Sequence, residues 1–163
     1  MRGKESAMEN TKELIAVGAD LAGSAAGGAL GFIATGPTGA AAGALAGMAL
    51  TKAIQIANDI AHRHLSNREK KRTGAGLAFV LDKIEKQLAA GYIPRDDGFF
   101  DEDETGRSPS DEILEGVLFK CKTEPEEKKI KLLGNIYANV VFMTEVSLDG
   151  ANWLLQKAQN LTY

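Results

Sequence analysis

A single cysteine, Cys121, means that no disulfide can close within the chain and that a zinc site of four cysteines is excluded. Histidine is nearly as scarce. His62 and His64 stand two apart, on different faces of any helix, and make no pair suited to zinc. No Ser–His–Asp or Cys–His constellation can be assembled, and no glycine-rich loop runs into a Lys-Ser or Lys-Thr pair to cradle phosphate. The expectation is a protein that is not an enzyme and carries no cofactor. Strand-like alternation is also missing, which leaves an all-α fold. The first thirteen residues, MRGKESAMENTKE, mix both charges before any apolar run begins. That is a poor secretory signal, and no cysteine follows the run to carry a lipid. A reducing compartment fits these features.

What is plentiful is unevenly spread. Nine of the 18 glycines lie between Gly18 and Gly47, mixed with alanine. Residues 1–75 carry nine Lys/Arg against six Asp/Glu, whereas residues 76–163 carry ten against sixteen. These shifts divide the chain into an N-terminal segment (1–13), a Gly/Ala-rich helical hairpin (14–58), a basic neck (59–75) and an acidic soluble domain (76–163).

Small residues recur at every fourth position from Ala19 through Gly23, Gly27, Gly31, Thr35, Gly39, Gly43 and Gly47. That spacing puts them on one helix face, where missing side chains let another backbone come close. Pro37 lacks an N–H and disfavours helix at Gly36, so Thr35–Gly39 is expected to turn. Two flanking helices of about twenty residues would each span about 30 Å, the thickness of a bilayer core. Here the sequence GGALGFIATGPTGAAAGALAG resembles the glycine-zipper segments of bacterial membrane proteins, over residues 23–47 only. The resemblance implies close helix packing and oligomeric membrane association, and it implies no particular activity.

Glycine and alanine are weakly hydrophobic, and a charge at mid-bilayer costs about 2.5–3.5 kcal/mol. Asp20 and Lys52 lie nearly the same distance either side of Pro37, so a hairpin would set them at one depth, near its base, as a charge pair. Arg63, Arg68, Lys70, Lys71 and Arg72 follow the second arm, and Arg2, Lys4 and Lys12 precede the first. Positive charge on both flanks predicts a bacterial inner-membrane hairpin with both termini cytoplasmic, and a lipid-headgroup or anionic-ligand site at residues 63–72. No aromatic residue interleaves this basic run to stack on bases, so duplex nucleic acid is not an expected partner.

Beyond residue 76 the signals describe four helices. Leu77, Val80, Leu81, Ile84 and Leu88 share a face of a helix that should stop at Gly91. An irregular acidic loop (92–107) follows. Ser108-Pro109-Ser110-Asp111 is a helix start, and Ile113, Leu114, Val117, Leu118 and Cys121 form its apolar face, which makes Cys121 a core residue. Thr123-Glu124-Pro125-Glu126 reads as a second start, for a helix turning Ile130, Leu133, Ile136, Tyr137, Val140, Val141 and Thr144 inward. Ser147 is expected to cap a last helix, packed through Ala151, Leu154, Leu155 and Ala158.

Asp101, Asp103, Thr105 and Glu112 match the ligand spacing of an EF-hand calcium loop, with Gly106 at its turn. Ser108 stands where that loop needs an apolar residue and Pro109 where it needs an extended one, so a metal-free acidic loop is the favoured reading. The function expected is that of an oligomeric membrane effector, with the hairpin entering or perturbing the membrane under control of the soluble helices. Bacterial abortive-infection and nucleotide-gated defence effectors share that plan, an analogy of architecture alone. A small anionic or nucleotide ligand would meet basic residues among Lys83, Lys86, Lys120, Lys122, Lys128, Lys129 and Lys131. The alternative is a soluble, self-associating scaffold or adaptor in the cytoplasm.

Overall fold

Residues 73–78, Thr-Gly-Ala-Gly-Leu-Ala, are all buried, and the molecule is organised around them. A computed structural model describes residues 1–37 and 43–161. All regular structure among them is helical: α1 (Arg2–Val17), α2 (Ala19–Ala22), α3 (Ser24–Thr35), α4 (Gly43–Ala61), α5 (Asn67–Ala89), α6 (Pro109–Thr123), α7 (Glu127–Val140) and α8 (Leu148–Asn160). The small side chains midway along α5 let neighbours approach on every side, and α1, α2, α3, α4, α6 and α7 all pack against it. One apolar core runs from Leu14 to Ala158.

Glycines make the closest of these contacts, but not the glycines of the fourfold repeat. A Cβ at Gly74 would strike the carbonyl of Leu14 in α1, and one at Gly18 the backbone of Gly74 and Ala75. On the other side of α5, a Cβ at Gly76 would lie 2.6 Å from Cys121 Sγ, and one at Gly134 of α7 would lie 2.9 Å from the Gly76 carbonyl. These crossings fix the helix directions. Gly18 lies beside Gly74 and Gly28 beside Asp82, so α2 and α3 run along α5 in its own direction. Lys52 of α4 and Arg63, two residues beyond its end, meet Asp111 and Glu115 of α6, so α4 and α6 run together, both antiparallel to α5.

Several sequence expectations are corrected here. Residues 1–13 are no separate segment; they begin α1, whose Thr11, Leu14 and Ile15 are buried. The first arm breaks at Gly18 and again at Gly23, whose φ of +57° suits glycine, leaving an α3 of only 12 residues. The two arms do not pair. Both pack on α1, and α3 and α4 have almost no contact with each other among the described residues. No helix among them is long and apolar enough to cross a membrane. Helix α3 ends as expected before Gly36, but the remainder of the turn, with Thr38 and Gly39, lies outside the described residues.

The basic neck is likewise redrawn. Ser66 caps α5 through a capping box with Glu69, so residues 67–75 are the first turns of the central helix and the 75/76 boundary falls inside it. Further on, Ser108 and Asp111 form the expected capping box of α6. Thr123 caps nothing and ends α6; Pro125 holds Glu124 extended, and α7 starts after Glu126 without a side-chain cap. Ser147 caps α8 as its position suggested. Thr144 and Leu154, expected inside, are exposed.

Candidate functional site

On α4 the polar residues Lys52, Gln55 and Asp59 recur at three and four positions and make one stripe, which Arg63 extends just beyond the helix end. Facing it are Glu102 and Arg107 of the 92–107 loop and Asp111 and Glu115 of α6, around a cleft of about 430 Å³. Lys52 is 8% exposed. Its ammonium lies 2.6 Å from Glu102 and 3.2 Å from Asp111. Burial alone would lower the lysine pKa, but hydrogen bonds and charge from the two carboxylates outweigh it and hold the pKa above the ordinary lysine value. A lysine held protonated is a fixed charge, not a nucleophile or base.

Asp111 has a second task. Its Oδ2 accepts from the Ser108 N–H at 2.8 Å and the Ser108 hydroxyl at 2.9 Å, closing the α6 capping box. At the other end of the cleft Arg63 and Arg107 both donate to Glu115, at 2.9 and 2.6 Å. Across the cleft Lys52 ties α4 to the acidic loop and to α6, Arg63 ties the segment after α4 to α6, and Arg107 ties the loop to α6.

The expected Asp20–Lys52 pair is not made, because the arms that carry the two residues lie apart. Asp20 instead accepts from Lys71 of α5 at 2.7 Å, and that hydrogen bond holds its carboxyl below the usual range. Each charged residue of the glycine-rich region is thus tied to a helix outside it. The five basic residues after α4 are spread over different surroundings. Arg63 faces Glu115, Lys71 faces Asp20, Arg68 is exposed, and Lys70 lines a second cleft of about 350 Å³ with Glu13 and His62. Arg72 is half-buried on α5.

The repeat glycines among the described residues face away from the core. A Cβ at Gly23, Gly27, Gly31, Gly43 or Gly47 would meet nothing within 4 Å among the described residues. The calcium-loop residues do not gather into a ligand cage. Asp103 accepts from Thr105 N–H at 2.8 Å, Thr105 Oγ1 at 2.6 Å and Arg107 N–H at 3.3 Å, which lowers its pKa. Glu112 turns to Asn152 of α8 at 3.2 Å, and no three His, Cys, Asp or Glu among the described residues are placed to hold a metal. Cys121 is buried against Gly76, and burial raises its thiol pKa, so it lacks the thiolate a nucleophile needs.

Sequence reasoning passed over Arg95. It lies 8% exposed, stacks 4.7 Å from the Phe99 ring centroid, and donates to Asp97 and to the carbonyls of Val140, Thr144 and Val146. The acidic loop is thereby tied to the α7–α8 junction. An arginine amid aromatics and apolar residues, in GYIPRDDGFF, was the available signal. No family model, curated protein or solved structure matches the chain.

Proposed function

We propose that the chain is a self-associating, non-enzymatic effector whose glycine-rich helices act at the bacterial inner membrane, with helices α5–α8 as the cytoplasmic element that holds them. The observation that carries this reading is two bare faces, Gly27 and Gly31 on α3 and Gly43 and Gly47 on α4, which no described residue packs against. Such faces associate by backbone approach, in lipid as in water. The arrangement of the arms supports it. Both are rooted at the end of the bundle that carries Arg63–Arg72, and both lie folded back along α5 toward the acidic loop. In this packed form Lys52 and Asp20 are clamped; opening the Lys52 and Arg63 pairs would loosen α4 from α6 and the acidic loop, and the basic end would lie against anionic headgroups. The antiviral, abortive-infection role belongs to the same proposal and rests on architecture.

A second reading, a soluble self-associating scaffold, is favoured by one specific observation: no described helix is long and apolar enough to cross a membrane. Fractionation and vesicle flotation separate the two. The effector reading expects the intact chain to float with anionic vesicles, and its expression to depolarise cells while Gly27→Leu plus Gly43→Leu does not. A chain that stays in the high-speed supernatant without detergent, and that vesicles do not retain, leaves the scaffold.

A further inference from the structure

We infer that the cleft between the start of α3 and the adjoining sides of α5 and α7 binds a small phosphate-bearing anion. Its volume is about 270 Å³, and Lys83 and Lys86 of α5 reach it together with Lys131 of α7. Asp82 is the only carboxylate in its lining among the described residues, and it is engaged by Lys86 at 2.7 Å. Neither Lys83 nor Lys131 has a carboxylate within 4 Å among the described residues, unlike Lys122 and Lys129, which pair with Glu69 and Glu126. Lys120 donates to Gln159. Of the seven lysines considered as ligand contacts, three therefore line this one cleft, Lys86 and Lys131 at its exposed rim, with Glu85 beside Asp82 at Gly28.

With Lys86 paired to Asp82, Lys83 and Lys131 remain to attract an anion at the cleft, and lysine binds phosphate as a point charge. The surroundings fit that chemistry independently of the lysines. Asn135, one turn after Lys131, and the Ser24 hydroxyl supply neutral hydrogen-bonding groups, while Phe79 closes the apolar side. Helix α3 starts at Ser24, so the positive end of its peptide dipoles lies at the cleft, and no side chain caps it. The volume suits a phosphoryl or diphosphoryl group rather than a whole nucleotide. Because α3 belongs to the glycine-rich region and α5 and α7 to the bundle, a bound anion would cross-link the two. That consequence rests on the effector reading; the binding site does not.

The test is a titration of the intact chain with pyrophosphate, without lipid and at constant ionic strength, followed by thermal shift and by the amide resonances of Ser24 and Ala25. Saturable binding is expected, with movement of both amides, weakened about tenfold or more by Lys83→Ala plus Lys131→Ala. The Lys83→Arg plus Lys131→Arg variant should retain it, and Lys128→Ala plus Lys157→Ala should bind like the unchanged chain. Vesicles containing phosphatidic acid identify the source. Retention that the alanine pair abolishes assigns a lipid phosphate, and pyrophosphate binding without such retention assigns a free one. No saturable pyrophosphate binding, or equal binding by the alanine pair, overturns the site. Because the titration contains no lipid, its failure is distinct from failure to float with anionic vesicles.

Discussion

Lys52 and Arg95 are each buried cations, and each is retained because several oxygens surround it. Removing one partner of a buried ion pair leaves the other uncompensated, so Lys52→Met should destabilise the chain by about 2–4 kcal/mol in urea unfolding, with Glu102 and Asp111 left facing each other. The pH dependence has a definite sign. The Lys52 pKa is raised on folding, so its contribution is complete below the ordinary lysine value and fades as pH rises through the higher folded value. The alkaline loss should accordingly be smaller in Lys52→Met. Asp97 behaves in the opposite sense. Hydrogen bonding to Arg95 lowers its pKa, so its contribution is present above the ordinary aspartate value and fades as pH falls through the folded one. Arg95→Ala removes bonds to three carbonyls as well, and should cost about 3 kcal/mol while flattening that acid limb. Little of this was legible beforehand. A lysine on a helix flank gives no sign that Glu102 and Asp111, fifty and fifty-nine residues on, will fold over it.

At the scale of helices, two sets of glycines play different parts. Gly74 meets the backbone of Leu14, which no rotamer change can move, so Gly74→Ala should destabilise by about 1–3 kcal/mol and loosen α1 from α5. Gly31 lies on an exposed face of α3, where alanine is the better helix former, and Gly31→Ala should stabilise the monomer by about 0.5–1 kcal/mol. Thermal unfolding of the two variants checks both signs. The fourfold spacing correctly identified a face without side chains, but spacing cannot say whether another helix arrives to cover it. The glycines closed over by neighbouring backbone or core side chains, Gly18, Gly74 and Gly76 of α5, and Gly134, sit on three separate segments that come together only when the chain folds. Local chemistry was easier to read. The apolar faces of α5 and α6, and the starts at Ser108 and Ser147, followed from periodicity and capping. Ser66-Asn-Arg-Glu69 carried the same capping signal, within a run of charges that is equally natural on a solvated turn and on the first turns of a helix.

Taken whole, the molecule carries its charge unevenly. Residues 62–72, at the α4–α5 turn, carry five Lys/Arg and one acid, while the 92–107 loop, which follows the far end of α5, carries two Arg and six acids. An anionic surface should therefore meet the basic end, and binding to anionic vesicles should weaken steeply between low and physiological salt as screening shortens. Retention that ignores salt would point to apolar insertion alone. The arms are rooted at that basic end and lie back along the bundle, their outer glycines uncovered, and self-association through those glycines is the claim on which the rest depends. Sedimentation velocity of the intact chain beside Gly27→Leu plus Gly43→Leu tests it most directly. The account predicts an oligomer for the unchanged chain and a monomer of undiminished helical circular dichroism for the variant; a monomeric unchanged chain, or an oligomer that survives both leucines, would contradict it.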